Sequence, residues 1–327
     1  MILPVIAVLA GLALLVWSAD RFVDGAVGLS RCLGLSPLLI GMLVMGFGTS
    51  APELMVSALA AGQGNPGLAL GNAYGSNISN IGLILGLVAL VSPLTVHSGL
   101  IRKELPVLLA VTLLSLLLMR GGNIDHAEGG MMLAMLLGFI GASVYMARRS
   151  GGDVLASETS ESLEEPPLPM ISSLGWTLCG LVLLVVSSRV LVWGAIEIAQ
   201  GIGVSDLIIG LTVVAIGTSL PELASSVSAL RRGKHDLVLG NVVGSNLFNT
   251  LGVVGLAAVI SPIEISSEVL VRDWPLMAFM TLLMIVFAIG WRGRQGRINR
   301  IEGGVLVLLF FSYTGYLVNS VVQTATL

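Results

Sequence analysis

The feature that most constrains this chain is a series of long apolar runs, each close to the length needed to cross a bilayer. A membrane-spanning helix needs about 20 apolar residues. Only 11% of the 327 residues are charged and the mean hydropathy is +0.97, which excludes a soluble enzyme, since soluble domains carry roughly a quarter charged residues. We predict ten spans, at 2–19, 36–61, 68–92, 104–119, 128–147, 171–192, 204–230, 237–261, 273–291 and 301–321.

The remaining composition narrows the function further. The net charge of −3 gives no basis for nucleic-acid binding. Cys32 and Cys179 are far apart and the three histidines are scattered, so neither a disulfide framework nor a Cys/His metal site is expected.

The basic residues predict the orientation of the chain. With ten spans, 13 of the 16 Lys and Arg residues fall on one side, and three (Arg120, Arg189 and Arg272) on the other. By the positive-inside rule the richer side is cytoplasmic. We therefore predict a multi-pass protein of the inner (plasma) membrane with both termini outside.

A polar, Ser-, Glu- and Pro-rich segment divides the chain near its middle. We predict a first five-helix unit at 1–148, a cytoplasmic acidic linker at 149–170 and a second five-helix unit at 171–327. The five acids of the linker lack EF-hand spacing, which favours a solvated linker over a regulatory Ca²⁺ site.

The two halves repeat one another at a constant offset of 169 residues. The Gly-Thr-Ser-x-Pro-Glu-Leu segment at 48–54 recurs at 217–223, and Gly-Asn-x-x-Gly-Ser-Asn-x-x-Asn at 71–80 recurs at 240–249. Because five helices per half is an odd number, the second half enters the membrane from the opposite side. The predicted fold class is an all-α membrane protein of two inverted five-helix repeats, with a site near the midplane where the repeats meet.

Two carboxylates stand out within this repeat. Glu53 and Glu222 occupy matching positions deep in the second and seventh spans. A carboxylate at the centre of a membrane helix costs roughly 2.5–3.5 kcal/mol, so each requires a compensating partner. Their joint charge of −2 fits one Ca²⁺, two protons, or two or three monovalent cations.

The residues before each glutamate predict a helix break. Ser50-x-x-Glu53 and Ser219-x-x-Glu222 fit a capping box, with Pro52 and Pro221 in the first turn. A helix start in mid-membrane frees backbone carbonyls, which is tolerated where they line a cavity or bind ions. Capping alone does not require Glu, because neutral Gln can cap equally well, so we favour cation binding.

The third and eighth predicted spans contribute a polar stripe. Its members are spaced i, i+4, i+8 and share one helix face: Asn72, Ser76 and Asn80, repeated as Asn241, Ser245 and Asn249. Glycines at 71, 75, 240 and 244 leave room for close helix contact; small-residue packing is the alternative explanation of the stripe. An all-oxygen set favours Ca²⁺ or Na⁺ over zinc or copper.

These duplicated motifs resemble the two alpha-repeats of the Ca²⁺:cation antiporter superfamily, in particular its sodium/calcium exchanger-like bacterial members. The resemblance covers nearly the whole chain. It implies a secondary transporter, functional as a monomer in the lipid bilayer, that exchanges Ca²⁺ for Na⁺ by alternating access, without cofactor or enzymatic activity. Helices 1 and 6 would slide across the remaining eight.

The resemblance also implies roles for individual residues. Glu53 and Glu222 would be paired Ca²⁺ ligands, completed by the carbonyls of Thr49 and Thr218. Flanking Na⁺ sites would use the hydroxyls of Ser50, Ser219, Ser76 and Ser245 and the carbonyls of Gly46 and Ala215. Asn80 and Asn249 would lie beside the central site.

Two departures bear on the coupling ion. Proton-coupled relatives carry Glu where this chain has Gly75 and Gly244, which favours Na⁺. Potassium-dependent relatives carry Asp where this chain has Asn249, which disfavours K⁺ co-transport. The alternative is a Ca²⁺/H⁺ antiporter with both glutamates as proton acceptors. A cation channel is less favoured, and no nucleophile–base pair indicates an intramembrane enzyme.

Three charged residues follow the first apolar run. Asp20, Arg21 and Asp24 are predicted to lie at the membrane interface where the first span ends, with a gate as the alternative.

Overall fold

A computed structural model describes residues 2–97, 100–149, 168–201, 215–289 and 296–325. Within these ranges the chain is almost entirely helical, as the apolar runs predict. Seven helices are long and apolar enough to cross a membrane, and an eighth span arises where two helices meet at 43°. The prediction of a helical, multi-pass membrane protein is therefore confirmed.

The helices are numbered here in chain order. The first half contains α1 (Ile2–Leu33), α2 (Pro37–Ile40), α3 (Phe47–Thr49), α4 (Ala51–Gly62), α5 (Pro66–Ser79), α6 (Gly86–Val91), α7 (Leu105–Met119) and α8 (His126–Arg149). The second contains α9 (Met170–Gly201), α10 (Ala215–Thr218), α11 (Leu220–Arg231), α12 (His235–Leu247), α13 (Val254–Ile260), α14 (Trp274–Ala288) and α15 (Arg300–Ala325).

Five π-helical turns join or precede these helices in the described part of the chain, at Gly41–Gly46, Asn80–Leu85, Leu100–Glu104, Phe248–Val253 and Val269–Asp273. Four short strands are present there as well: β1 (Leu94–Val96), β2 (Asn123–Ile124), β3 (Ile263–Glu264) and β4 (Gly296–Ile298).

The count of ten spans stays a prediction. The predicted seventh span, 204–230, is described only from residue 215 onward. The predicted fourth span corresponds to α7, which has 15 residues and continues a π turn that begins at Leu100. The linker predicted at 149–170 also lies largely outside the described residues, since 150–167 are not among them.

The first and sixth predicted spans are longer than their apolar runs. α1 and α9 each have 32 residues, so each is about 48 Å long, well beyond a hydrocarbon core of about 30 Å. The helix does not end at Asp20, Arg21 and Asp24, because α1 continues to Leu33; the interfacial position of these three residues stays a prediction. Arg21 and Arg189 accordingly lie within helices and not in loops.

α1 and α9 pack against each other as an antiparallel pair along a seam of small residues. A Cβ added to Gly11 would lie 2.9 Å from Leu191 N, and one added to Gly180 would lie 2.6 Å from Phe22 N. Such close backbone approach is the usual basis of helix association in lipid, where apolar side chains gain little by leaving the membrane.

Two spans form the interior of the molecule. Pro66–Val91 and His235–Ile260 are mostly buried by other helices, whereas the remaining long helices keep large exposed apolar faces. These two spans carry the polar stripe, so the fold places the predicted ion ligands at its centre.

The duplication of the sequence is visible in the local structure. The π turns Leu100–Glu104 and Val269–Asp273 are separated by 169 residues. Two antiparallel ribbons also correspond: β1 pairs with β4 through Leu94 and Ile298, and β3 pairs with β2 through Ile263 and Ile124. Each ribbon joins one strand of the first half to one of the second, which ties the repeats together.

Candidate ion-binding site

Both Gly-Thr-Ser-x-Pro-Glu segments break a helix, as predicted. α3 ends at Thr49 and α4 begins at Ala51; between them Ser50 has φ −84° and ψ 1°. In the second half Ser219 separates α10 from α11 with nearly the same backbone, φ −90° and ψ 4°. The break is therefore a property of the duplicated segment.

The capping-box prediction for these segments is wrong. Neither Ser50 nor Ser219 makes a side-chain capping bond. An N-cap residue normally has an extended backbone that aims its oxygen at the following N–H groups. Ser36 has this geometry (φ −62°, ψ 149°) and accepts from Leu39 N, whereas the backbone of Ser50 turns its hydroxyl elsewhere.

True capping boxes occur at the starts of two other helices. Asp125 Oδ1 accepts from Glu128 N at 2.8 Å, while Glu128 Oε2 accepts from Asp125 N at 3.0 Å. Asn299 and Glu302 repeat this arrangement in the second half, at 3.1 and 2.7 Å. The same residue spacing thus caps α8 and α15 but leaves the side chain of Ser50 available for another role.

The two glutamates are the central feature of the site. Glu53 and Glu222 are 2% and 3% exposed, and Oε2 of each makes no hydrogen bond within the protein. Each lies in the first turn of its half-helix, where the helix dipole favours a negative charge. The Glu222 carboxyl is close enough to Glu53 for the two charges to interact, so the fold brings the two halves' segments together.

Other buried polar atoms without a hydrogen-bond partner cluster on the same segments. Four of these atoms belong to predicted ligands: Ser50 Oγ, Asn80 Oδ1 and both amide atoms of Asn249. Two more, Asn77 Oδ1 and Ser79 Oγ, lie on α5 next to Asn80 in sequence. Within the described residues the other such atoms are Arg21 Nε and Glu104 Oε2. Buried polar groups are normally paired, so a concentration of unpaired oxygens marks a place for a cation.

Polar contacts join α12 to the first broken helix. The Thr49 hydroxyl donates to Met45 O at 2.9 Å and lies 3.3 Å from Asn241 Oδ1 and 3.5 Å from Ser245 Oγ. Ser245 Oγ donates to Gly46 O at 3.4 Å. Three predicted ligands, Gly46, Thr49 and Ser245, are therefore in contact across the repeat interface.

Two glycines of α12 allow this contact. A Cβ on Gly240 would lie 3.0 Å from Gly41 Cα, and one on Gly244 would lie 2.7 Å from Met42 Cα. Close packing is thus confirmed at these two positions. Gly71 and Gly75, their counterparts, have nothing within 4 Å among the described residues, and the segment that corresponds to 41 in the second half lies in 202–214, outside them.

The remaining predicted ligands are placed as follows. Ser76 is buried on α5, and Ser219 is buried at the second break. Thr218 is partly buried at the end of α10, and Ala215 is the first residue of that helix.

Sequence reasoning did not assign roles to several polar side chains in this region. Asn80 Nδ2 donates to Asn246 Oδ1 at 3.0 Å, and Asn77 Nδ2 donates to Thr250 Oγ1 at 2.8 Å. Both Asn77 and Asn246 belong to the duplicated Gly-Ser-Asn motif, so the motif contained the signal. The bonds between the two halves, by contrast, cannot be predicted from the spacing of residues within one motif.

A polar cluster that we call the Arg232 clamp (Asp20, Asp24, Ser228 and Arg232) connects α1 to the end of α11. Arg232 Nη1 lies 2.9 Å from Asp20 Oδ1 and Nη2 lies 2.9 Å from Asp24 Oδ1. Ser228 Oγ donates to Asp20 Oδ1 at 2.5 Å and accepts from Arg232 Nη1 at 2.6 Å. Both acids of the first span are thus ion-paired with the second half of the chain.

Comparisons with known proteins agree with this geometry. The family model described as sodium/calcium exchanger protein matches residues 3–145 and 172–319. The protein CaxA of Alkalimonas amylolytica is 44% identical over 98% of this chain and its own full length. The inner membrane protein YrbG of Escherichia coli is 39% identical over 96% of this chain and 98% of its length.

A solved structure is also similar. The sodium-calcium exchanger NCX_Mj, soaked without Na⁺ and Ca²⁺, matches with a TM-score of 0.81 at 32% identity, covering 97% of this chain and 99% of that one. The sodium/calcium exchanger MaX1 of Methanosarcina acetivorans is 29% identical over 93% of this chain and 95% of its own length. The chain therefore belongs to the sodium/calcium exchanger family, whose members are membrane ion antiporters without a cofactor and not enzymes.

Proposed function

We propose that this protein exports Ca²⁺ in exchange for Na⁺ by alternating access, with Glu53 and Glu222 as the paired Ca²⁺ ligands. The observation that carries the proposal is the pair of buried carboxylates at repeat-related positions, each with an oxygen that has no protein partner. A divalent cation would satisfy both oxygens and neutralise the joint charge of −2.

The neighbouring groups support a hard cation. The unpaired Ser50 hydroxyl and the Asn80 and Asn249 amide oxygens are the type of ligand that Ca²⁺ and Na⁺ prefer. We assign the Thr49 and Thr218 carbonyls to the Ca²⁺ site, and Ser50, Ser76, Ser219 and Ser245 with the carbonyls of Gly46 and Ala215 to Na⁺. All these ligands come from one chain, which supports a monomer as the functional unit.

The absence of a glutamate at Gly75 and Gly244 supports Na⁺ over H⁺ as the coupling ion, and packing explains the absence at Gly244. A glutamate at this position, as in the proton-coupled branch, would have to pass the Met42 backbone, which lies 2.7 Å from the position of a Cβ. The relative MaX1, which is named a sodium/calcium exchanger, supports the same choice. Proton coupling through Glu53 and Glu222 is the competing function.

We further propose that both termini face outward in an inner membrane. When Arg21 and Arg189, which lie deep inside α1 and α9, are set aside, the count of basic residues in loops and near helix ends becomes twelve against two. YrbG, which is named an inner membrane protein, supports this location. Reporter fusions to each terminus test the orientation: a terminal fusion active only in the cytoplasm contradicts it.

The test of function is ⁴⁵Ca²⁺ uptake into proteoliposomes under a voltage clamped with K⁺ and valinomycin. An outward Na⁺ gradient is expected to drive uptake, and a pH gradient alone is not. Uptake driven only by the pH gradient would refute Na⁺ coupling, and no uptake under either gradient would refute Ca²⁺ antiport.

Substitutions test the ligand assignment. Glu53→Gln and Glu222→Gln should each lower the apparent Ca²⁺ affinity about 100-fold or more, because one buried charge of a compensated set is removed. Glu128→Gln is the matched control, since Gln can replace Glu in the capping box of α8. Wild-type uptake in either site variant would refute the assignment.

A further inference from the structure

Asn241 lies between the two broken helices. It is fully buried on α12, one helical turn before Ser245 on the same face. Its side chain makes hydrogen bonds with segments from both halves of the chain, although its motif position alone suggests only a member of the polar stripe.

The amide nitrogen of Asn241 binds the first turns of α11. Its acceptors are Glu222 O at 3.3 Å, Ser225 Oγ at 3.2 Å and Ser226 Oγ at 3.0 Å. An amide has two N–H groups, so two of the three are engaged at once. The Ser225 hydroxyl also donates to Glu222 O at 3.0 Å, and the backbone of the Glu222 residue is thereby held from two sides.

The amide oxygen of Asn241 faces the other half. It lies 3.3 Å from the Thr49 hydroxyl, whose hydrogen is shared with Met45 O. Thr49 is the last residue before the first helix break, and Ser245 adds a bond to Gly46 O one turn earlier. One side chain therefore connects the break that precedes Glu53 to the turn that carries Glu222.

The repeat provides an internal comparison. Asn72 corresponds to Asn241, and Ser57 corresponds to Ser226, at the same offset of 169 residues. Asn72 Nδ2 donates to Ser57 Oγ at 3.2 Å, so the bond within one half is present in both repeats. Asn72 is nevertheless only partly buried, whereas Asn241 is fully buried.

We propose that Asn241 is a positioning residue of the ion site: it sets the distance between the Glu53 and Glu222 segments without itself touching the ion. The inference rests on the function proposed above. A paired-carboxylate site for Ca²⁺ requires both carboxylates at a fixed separation, and Asn241 holds both supporting segments by hydrogen bonds that do not depend on bound ion.

The test compares repeat-related variants in proteoliposomes. Asn241→Ala should raise the KM for Ca²⁺ about tenfold, the effect of losing roughly one or two buried hydrogen bonds, with the maximal rate at saturating Ca²⁺ changed less than about twofold, because the ligands themselves remain. Asn72→Ala is the matched control and should change KM much less. Ser226→Ala removes one acceptor with a small change in volume, and Ser57→Ala is its control.

A second measurement separates positioning from general stability. Thermal unfolding of the purified protein in nanodiscs is recorded with and without Ca²⁺. The stabilisation produced by Ca²⁺ should shrink in Asn241→Ala and Ser226→Ala, but not in Asn72→Ala and Ser57→Ala.

The outcomes distinguish the inference from the function on which it rests. Wild-type protein without Ca²⁺ uptake refutes the proposed function. Active wild type, with equal KM values in the Asn241 and Asn72 variants or in the Ser226 and Ser57 variants, overturns the positioning role. A lower unfolding temperature with unchanged KM and unchanged Ca²⁺ stabilisation also overturns it.

Discussion

The Arg232 clamp predicts how firmly α1 is attached to the other half of the molecule. Replacing Arg232 by Gln removes two ion pairs at 2.9 Å, which leaves Asp20 without an ion-pair partner among the described residues and Asp24 with Arg21 alone, at 3.4 Å. We expect the C-terminal part of α1 to open more often, while the N-terminal part of its seam with α9, around Gly11, stays closed.

The free energy that the clamp contributes can be worked out from the exposure of its charged side chains. Its charged side chains retain between 28% and 37% exposure, so solvent screens each pair and a value of about 0.5–1 kcal/mol per pair applies. The bond from Arg232 to the Asp20 carbonyl, at 3.1 Å, adds about 0.5–1 kcal/mol. The total of about 2 kcal/mol corresponds to roughly a 30-fold change in a local opening equilibrium.

Hydrogen exchange measured by mass spectrometry in nanodiscs detects such an opening. Peptides from 20–33 should lose roughly 30-fold in protection in Arg232→Gln, and about fivefold in Asp20→Asn, which removes a single pair. Both effects should shrink at high salt. Arg231→Gln is the matched control, because Arg231 is exposed and makes no ion pair among the described residues. Equal exchange in Arg231→Gln and Arg232→Gln would refute the clamp.

Further predictions concern packing and capping. Gly244→Ala should yield aggregated protein by size-exclusion chromatography, because its Cβ would lie 2.7 Å from Met42 Cα; Gly138→Ala, with nothing within 4 Å, should remain monodisperse. Asp125→Ala should lower the thermal unfolding midpoint through loss of the α8 capping box, worth about 1 kcal/mol. Ser50→Ala should leave the ion-free midpoint unchanged, since Ser50 forms no cap, but should reduce stabilisation by Na⁺. A lower ion-free midpoint in Ser50→Ala would contradict the structural assignment of this residue.

The features that sequence predicted well are those encoded within a short segment. A Ser-x-Pro-Glu segment inside an apolar run predicts a break because Pro lacks an N–H and an intramembrane carboxylate needs a partner. Because the repeat offset is constant, each local prediction for the first half also applies to the matching position of the second half. Small residues on one face of α12 likewise predicted close packing, which the contacts of Gly240 and Gly244 confirm.

The features that sequence missed depend on backbone angles or distant partners. Ser36 and Ser50 both precede a helix, yet only Ser36 has the extended backbone that permits capping. The apolar run of α1 ends at residue 19, but the helix continues to Leu33, and its Asp20 and Asp24 pair with Arg232, more than 200 residues away in sequence. Hydropathy reports where lipid contact ends, not where a helix ends.

The Arg232 clamp has no counterpart at the positions related to it by the 169-residue repeat. The positions related to Asp20 and Arg232 hold Arg189 and Gln63, which cannot form the same ion pair. In an antiporter whose two facing states exchange the conformations of its halves, identical repeats would make those states equal in free energy. If the clamp stabilises only one of the two facing states by about 2 kcal/mol, that state would instead be populated roughly 30-fold over the other. The molecule would then rest facing one compartment, and its apparent ion affinities would differ between the two faces even with the same ligands.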